Sequence, residues 1–557
     1  MTQLKEMDQQ LVAAFLKPYR ILKVRVLQAT EKTKKILENI QVPEQLSLLV
    51  SALKMIVPEE SKEYFEALLY GFNQTKRTES VILYETAQTV HSSLISEELL
   101  TELLLLKKVS DAESRGFTYD EANKKYNFNA NAFVRHFNTR CHIKSTKDGR
   151  LFFYNSKGVY EELSDVERGK IIRTVMHEGL WNSWRSSYEK EVVKALLREA
   201  VVVEEMNNEK NFINLSNGLL DLKRFELVPH SPKYLSTVQL PMAYNFYEQA
   251  PNFSLFIQAI TLADKPLMRV LQEVVGYLIS GETKAEKAFY FYGGGANGKS
   301  VLASVITKLV GKENVSSIPL ADFGQRFGLE GLINKTINIA AENELSGQVL
   351  KTENFKAIVS GDIINIELKF RPSISYKPHC KLVFLVNNLP DSKDVTSGYF
   401  RKLMIVPFRR TFKPKERNIN LLDELMEELP GILNWALEGL RRLQTNNYQF
   451  SECAVIEQAH DAYYLEQNPI KAFFSEHIQM NSGSKTKQAD FHEMYKKWLE
   501  LQGIDDKGTR SNNTFWRYFK IILENAGIPL VKKKIKGTIY LEGLEIVGLE
   551  KRFPFTI

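Results

Sequence analysis

Between residues 289 and 412 short apolar runs alternate with amphipathic stretches. Ala288-Phe289-Tyr290-Phe291-Tyr292, Thr336-Ile337-Asn338-Ile339-Ala340-Ala341, Lys381-Leu382-Val383-Phe384-Leu385-Val386 and Leu403-Met404-Ile405-Val406-Pro407 are nearly continuous in apolar character. Runs of that kind suit strands buried on both faces of a parallel sheet. Val301 to Val310 carries apolar residues at helical spacing. Strands alternating with helices predict an α/β domain with a partly parallel central sheet. Ile366 to Lys377 departs from this rhythm and predicts a hairpin with a basic, aromatic tip.

The flanks have other patterns. Residues 1 to about 115 are rich in Leu, Glu, Lys and Gln, nearly free of glycine and punctuated by Pro43 and Pro58, which predicts a helical domain. The character changes at Gly116. Leu151–Tyr154 and Gly158–Tyr160 predict a strand pair, and helical patterns follow to about Arg198. In Phe212 to Leu222 the Asn217-Gly218 step predicts a hairpin turn. Pro229-His230-Ser231-Pro232 is a second break, and 253–280 and 413–450 return to helical spacing. A connector over 451–468 leads to a terminal module. There Phe491–Leu501 is amphipathic, with Tyr495 and Trp498 on one side. Ser511-Asn512-Asn513-Thr514 caps a helix whose Phe515, Trp516 and Phe519 serve mainly as core. Val531 to Tyr540 predicts a hairpin with lysines 532, 533, 534 and 536 at its tip. Helices followed by a basic hairpin predict a winged helix, with one helix in the major groove and a wing on phosphates.

Composition narrows the class. The chain has 557 residues, 44% apolar and 25% charged, which suits several globular domains. No apolar stretch is long enough to span a membrane, and the first residues do not form a secretory signal. Three well-separated cysteines (Cys141, Cys380, Cys453) suit a reducing cytoplasm rather than a disulfide framework. His136, Cys141 and His142 lack a second pair at zinc spacing and are expected to be structural. Net charge is +7, and 469–557 holds 15 Lys and Arg against 10 Asp and Glu, a local +5. Such an excess suits nucleic-acid contact.

The strongest chemical signal is Gly293-Gly294-Gly295-Ala296-Asn297-Gly298-Lys299-Ser300, followed by Val301. It stands between a predicted strand and a predicted helix, where backbone N–H groups and a helix N-terminus surround a phosphate chain. Lys299 is placed for the β- and γ-phosphates and Ser300 for Mg²⁺. Glu342-Asn343-Glu344 ends the next apolar strand, where a metal-organising acid and a base belong. Asn387 ends the Lys381–Val386 run, either as a contact to the γ-phosphate or attacking water, or as the opening of an Asn-Leu-Pro turn. Arg401 suits an arginine finger supplied to a neighbouring subunit. Lys369, Phe370 and Arg371 combine cations with an aromatic, as single-strand binding requires.

In motif order, residues 289–410 resemble the superfamily 3 helicases, a branch of the AAA+ ATPases. Within them the chain is similar to the poxvirus/phage primase–helicase family of phages, plasmids and mobile islands. Upstream, Asn214 to Leu222 and Pro229-His230-Ser231-Pro232 resemble the domain that precedes the helicase in that family; downstream the resemblance extends to the terminus, covering roughly 120–557. It implies an α/β AAA+ core at 271–450, a helical N-terminal domain at 1–115, an α+β pre-helicase domain at 116–270 and a winged-helix-like domain at 469–557. Lys299 and Ser300 match the Walker A pair, Glu342 and Glu344 the Walker B acids, Asn387 the sensor and Arg401 the finger. Lys369, Phe370 and Arg371 lie at the family's channel hairpin. The acids are split by Asn343 rather than adjacent, which leaves open which of them is the base.

The resemblance further implies a homo-hexameric, ATP- and Mg²⁺-dependent helicase moving 3′ to 5′ on single-stranded DNA in its channel. It would initiate replication of a mobile element in a bacterial host cytoplasm, alongside host replication proteins and away from membranes. Duplex origin DNA would contact Asn512, Asn513, Arg517 and the lysine tip. Two alternatives are a primase–helicase with an unrecognised priming site, separable by a primer-synthesis assay, and an origin-binding protein with an inactive ATPase fold, separable by ATP turnover.

Overall fold

In the computed structural model, which describes residues 10–11, 13–16, 111–341, 352–390, 397–504 and 511–548, the chain after Gly116 opens on an aromatic hairpin. Strands β1 (Phe117–Asp120) and β2 (Lys125–Phe128) pair antiparallel, with Phe117 opposite Phe128 and Tyr119 opposite Tyr126. The helical domain expected over 1–115 lies almost entirely outside the described residues. The chain divides into two compact units, residues 1–209 with 229–237 and residues 210–228 with 238–557.

In the first unit, Asn129 caps helix α1 (Ala130–Arg140) by accepting from the amides of Asn131 and Ala132. Strands β3 (Ile143–Thr146), β4 (Leu151–Tyr154) and β5 (Tyr160–Glu162) follow, then helices α2 (Asp165–Gly179) and α3 (Ser186–Glu199) and strand β6 (Val201–Val203). The sheet order is β5-β4-β3-β6, with β6 parallel to β3. Helix α2 begins in a capping box: Ser164 and Glu167 bond reciprocally, and the Ser164 hydroxyl holds the Glu167 carboxyl below its ordinary range. Apolar faces of the three helices meet β3 and β4 through Phe133, Phe137, Ile143, Phe153, Ile172, Val175, Val192 and Leu196. Burial, then the charges of Arg115 and Arg140, pushes His136 down to about 3, so it stays neutral. Residues 229–237 return to this unit, where the Tyr160 hydroxyl donates to the Pro232 carbonyl at 2.7 Å.

The second unit starts with a meander, β7 (Phe212–Leu215), β8 (Gly218–Asp221) and β9 (Glu226–Val228), turning at the expected Asn217-Gly218 step. Helices α4 (Pro251–Thr261) and α5 (Lys265–Ile279) lead into β10 (Ala288–Tyr292), α6 (Lys299–Val310), β11 (Val315–Ser316) and β12 (Ile337–Ala340). Then come α7 (Thr352–Ser360), the hairpin β13 (Ile364–Leu368) and β14 (Arg371–Tyr376), β15 (Lys381–Val386), α8 (Ser397–Phe400) and β16 (Leu403–Pro407). The five-stranded sheet runs β11-β12-β15-β10-β16, every pair parallel. Its strands alternate between two cores. Phe289, Phe291, Val383 and Val406 face the helices α4, α5 and α6, while Tyr290, Phe384 and Ile405 face Phe355 of α7 and Tyr399 of α8. Each such side chain contributes about 1.5–3 kcal/mol on burial, and both faces need apolar residues, hence the unbroken runs.

Helices α9 (Leu421–Glu427) and α10 (Leu429–Thr445) complete the first core. The connector expected over 451–468 is instead helix α11 (Ala454–Gln467); its buried residues, Ile456 and Tyr463, stand two turns apart, too sparse for an apolar stripe. Beyond it lie α12 (Pro469–His477), β17 (Ile478–Lys487), α13 (Gln488–Gln502), α14 (Asn512–Asn525), β18 (Val531–Ile535) and β19 (Thr538–Ile546). These strands form an antiparallel sheet in the order β17-β19-β18, closed over a separate core of Phe473, Tyr495, Trp498, Phe515, Phe519 and Leu541. Among the described residues no helix is long and apolar enough to cross a membrane.

Candidate active site

Because the five strands are parallel, their carboxyl ends share one edge. Residues 293–298 follow β10 there, Ala341 follows β12, Asn387 follows β15 and Phe408 follows β16. From β10 the chain crosses to β11 at one end of the sheet, works back to β15, and places β16 on the other flank of β10. The order therefore reverses at β10, the position where open α/β sheets bind ligands.

Two glycines fix the loop. Gly293 has φ +152 and a Cβ there would come within 2.5 Å of the Phe408 carbonyl oxygen; Gly298 has φ +87 and its Cβ would meet Ile260 Cγ2 at 2.5 Å. Nothing lies within 4 Å of a Cβ placed on Gly294 or Gly295, so the loop is open on that side. The amides of residues 294–298 meet no acceptor among the described residues. The first turn of α6 adds its own N–H groups beside them. Asn297, buried, braces the loop: its amide donates to the Gly294 carbonyl and its oxygen accepts from the Lys299 N–H at 3.4 Å.

Lys299 is buried, and its Nζ donates to the carbonyls of Gly293, Gly294 (3.3 Å) and Val386 (3.1 Å) and to Asn387 Oδ1 at 3.0 Å. Burial lowers its pKa from the ordinary lysine value. Lys299 and Asn387, 88 positions apart, thus meet in one site. Ser300 is exposed on the first turn of α6. Open amides, a buried ammonium and an exposed hydroxyl are the donor set a nucleotide triphosphate with Mg²⁺ requires, and they fit it. Glu342 and Glu344 lie outside the described residues, just past Ala341.

Arg401 stands elsewhere. It precedes β16, so it lies at the amino edge of the sheet and is exposed. Its turn is braced: Lys287 Nζ donates to the Arg401 carbonyl, and buried Lys402 donates to Glu286 Oε2 at 2.7 Å and to the Ser360 hydroxyl. Of these neighbours, only Lys402 stands out in sequence, as half of a basic pair; Glu286, Lys287 and Ser360 carry no motif signal.

Lys369 and Phe370 form the two-residue tip between β13 and β14, with Phe370 at φ +59 and fully exposed, and Arg371 exposed beside it. In the terminal module Ser511 caps α14 by accepting from the Thr514 amide at 3.3 Å. Asn512, Asn513 and Arg517 are exposed on that helix, while Phe515 and Phe519 are core. Lys532, Lys533, Lys534 and Lys536 are all exposed; Lys533 pairs with Glu542 at 3.5 Å, and Lys536 forms the β18–β19 turn with Gly537.

Two family models match the chain: a D5 N terminal like family over residues 130–262 and a family of unknown function, DUF5906, over residues 291–402. Putative helicase 184R of Invertebrate iridescent virus 6 is 21% identical over 329 residues, covering 50% of this chain and 33% of the relative. Putative helicase L207/L206 of Acanthamoeba polyphaga mimivirus is 23% identical over 225 residues, 37% of this chain and 22% of the relative. The chain thus spans a third or less of the length of these relatives. Among solved structures, the apo C-terminal region of NrS-1 aligns over 73% of this chain and 96% of that one, at 11% identity and a TM-score of 0.41. The sequence similarities relate this chain, with its D5 N-terminal-like segment upstream of the glycine loop, to viral proteins named as helicases.

Proposed function

We propose that this chain is an ATP-driven, ring-forming DNA helicase that initiates replication of a mobile element. The observation that carries this is the 3.0 Å contact between Lys299 Nζ and Asn387 Oδ1 at the carboxyl edge of a parallel sheet, beside an open glycine loop. The names of the viral relatives support the same class. The AAA+ core, the hexamer and 3′ to 5′ movement are taken from the family resemblance.

The amides of residues 294–298 and Lys299 would hold the phosphate oxygens of ATP. Ser300 and one of Glu342 and Glu344 would hold Mg²⁺, which when bound offsets phosphate charge. The other glutamate accepts a proton from the attacking water as the bond between the γ-phosphorus and its bridging oxygen breaks. Asn387 orients that water, and Arg401 of a neighbouring subunit stabilises the departing charge. Helix, strand, two helices and a two-stranded wing, in that order, support a winged helix over α12 to β19. The test is phosphate release and unwinding by the full chain on a forked duplex with ATP and Mg²⁺. Absence of DNA-stimulated turnover would remove the helicase assignment.

Two further outcomes are expected. Lys369→Ala with Arg371→Ala should uncouple the motor: basal ATP turnover persists, while unwinding and DNA stimulation fall. The exposed tip of the β13–β14 hairpin is well away in sequence from the nucleotide loop. Normal unwinding by the double variant would take the tip out of the mechanism.

Alanine at Lys532, Lys533, Lys534 and Lys536 should weaken duplex binding whatever the sequence. The salt slope should flatten by up to about 0.9 log unit for each phosphate that is no longer neutralised. Changes at Asn512, Asn513 or Arg517 should instead alter which sequence is preferred. Removing residues from 469 onward should abolish origin preference and spare basal turnover. Equal preference in the truncated chain would move recognition elsewhere.

A further inference from the structure

The hairpin that opens the first unit is built as a ladder of rings. Phe117 faces Phe128 (centroids 4.9 Å apart) and, two residues toward the turn on the same face, Tyr119 faces Tyr126 at 5.1 Å, edge to face. The inner pair is anchored: Phe117 is 1% exposed, and Phe128 stacks on Tyr188 of α3 at 4.6 Å. The outer pair is not covered: Tyr119 is 52% and Tyr126 39% exposed. The inner pair already ties the hairpin to the core, so the outer rings are free to present their faces to solvent. The ladder continues through Tyr188 to Arg185, whose guanidinium lies 5.3 Å from that ring. Beside Arg185, Trp184 carries Arg173 at 5.2 Å, and Trp181 is 82% exposed.

Charge accompanies the rings. Lys124 and Lys125 are exposed at the hairpin turn, and residues 116–198 hold 15 Lys and Arg against 10 Asp and Glu. The nearby acids are partly engaged: Asp120 accepts from Asn123 and Asn127, and Glu189 accepts from the Trp184 indole at 2.8 Å. Glu121 is exposed at the turn.

We propose that this hairpin, with the loop carrying Trp181, is a binding surface for single-stranded DNA, additional to the β13–β14 tip. Exposed rings interleaved with cations match what unpaired bases and their phosphates offer together. A duplex keeps its base faces stacked inside, and an acidic peptide offers charge without planar rings for Tyr119, Tyr126 and Trp181.

The test uses the full chain carrying Lys369→Ala, Phe370→Ala and Arg371→Ala, so that the side chains at the tip of the other hairpin make no contribution. Irradiated with an oligothymidylate containing iododeoxyuridine, it should yield adducts at Tyr119, Tyr126 or Trp181, mapped by peptide mass spectrometry. Tyr119→Ala with Tyr126→Ala should weaken oligothymidylate binding about tenfold or more, the loss expected for a stacked base. Phenylalanine at both positions should retain it. Lys124→Gln with Lys125→Gln, which removes no ring packing, should flatten the salt dependence and keeps the test valid if the alanine pair disturbs the hairpin. Adducts only outside 117–128 and 181–188, unchanged oligothymidylate binding by the lysine variant, or a loss of duplex DNA or single-stranded RNA binding in the tyrosine-to-alanine pair larger than its loss of oligothymidylate binding would each overturn the assignment.

Discussion

Lys299→Ala is expected to lower ATP turnover by at least about a hundredfold and to abolish unwinding, while duplex binding by the terminal module survives. The reason lies in what surrounds the ammonium. Among the described residues its acceptors are the carbonyls of Gly293, Gly294 and Val386 and the Asn387 amide oxygen, all neutral. Burial lowers its pKa. A buried cation held by neutral dipoles among the described residues is placed for an anion, and triphosphate oxygens supply one. Nucleotide should therefore stabilise the wild-type chain against heat more than it stabilises the variant. Phosphate release and thermal shifts with an ATP analogue check both halves. Unchanged turnover, or an equal shift in both proteins, would remove Lys299 from the site.

The elements that are legible in sequence are those whose burial demands one kind of residue. β10, β15 and β16 are apolar on both faces because Phe289 and Tyr290, or Val383 and Phe384, enter different cores. β17 has no such signature, for the opposite reason. It is an edge strand with a register shift between Met480 and Lys485, and Ile478 is its one buried side chain, so its pairing rests on backbone rather than side-chain pattern. The Tyr119–Tyr126 pair is hidden in four-residue strands broken by polar positions. The boundary placed at 270 falls inside α5, whose apolar face packs on the same core as the sheet. In the site, the glycine loop is recognisable by spacing alone. The Lys299–Asn387 contact and the brace formed by Glu286, Lys287, Ser360 and Lys402 depend on strand order. No local pattern encodes that order.

Strand order also decides where Arg401 can act. Arg401 precedes β16, and the glycine loop follows β10, its parallel neighbour. The strand β10 is five residues long, which at about 3.3 Å per residue puts the two ends of the sheet roughly 16 Å apart. The Arg401 carbonyl is held by Lys287, just before β10, and Lys402 is fixed by Glu286 and Ser360, so the turn has no slack to reach its own loop. In the proposed ring, an exposed guanidinium so placed would serve a loop on another copy of the chain. Arg401→Ala should therefore lower turnover by about 10³ or more, as loss of an arginine finger does. The binding of an ATP analogue, for which the proposed site uses Lys299 of the same subunit, should change far less. Mixing Arg401→Ala with Lys299→Ala protein under conditions that let subunits exchange should recover part of the activity, because a mixed ring pairs an intact loop with an intact finger. Lys402→Met should act in the same direction through loss of the brace, lowering turnover without altering analogue binding. If labelled subunits are seen to exchange and no ratio of the two variants regains turnover, Arg401 does not act across an interface.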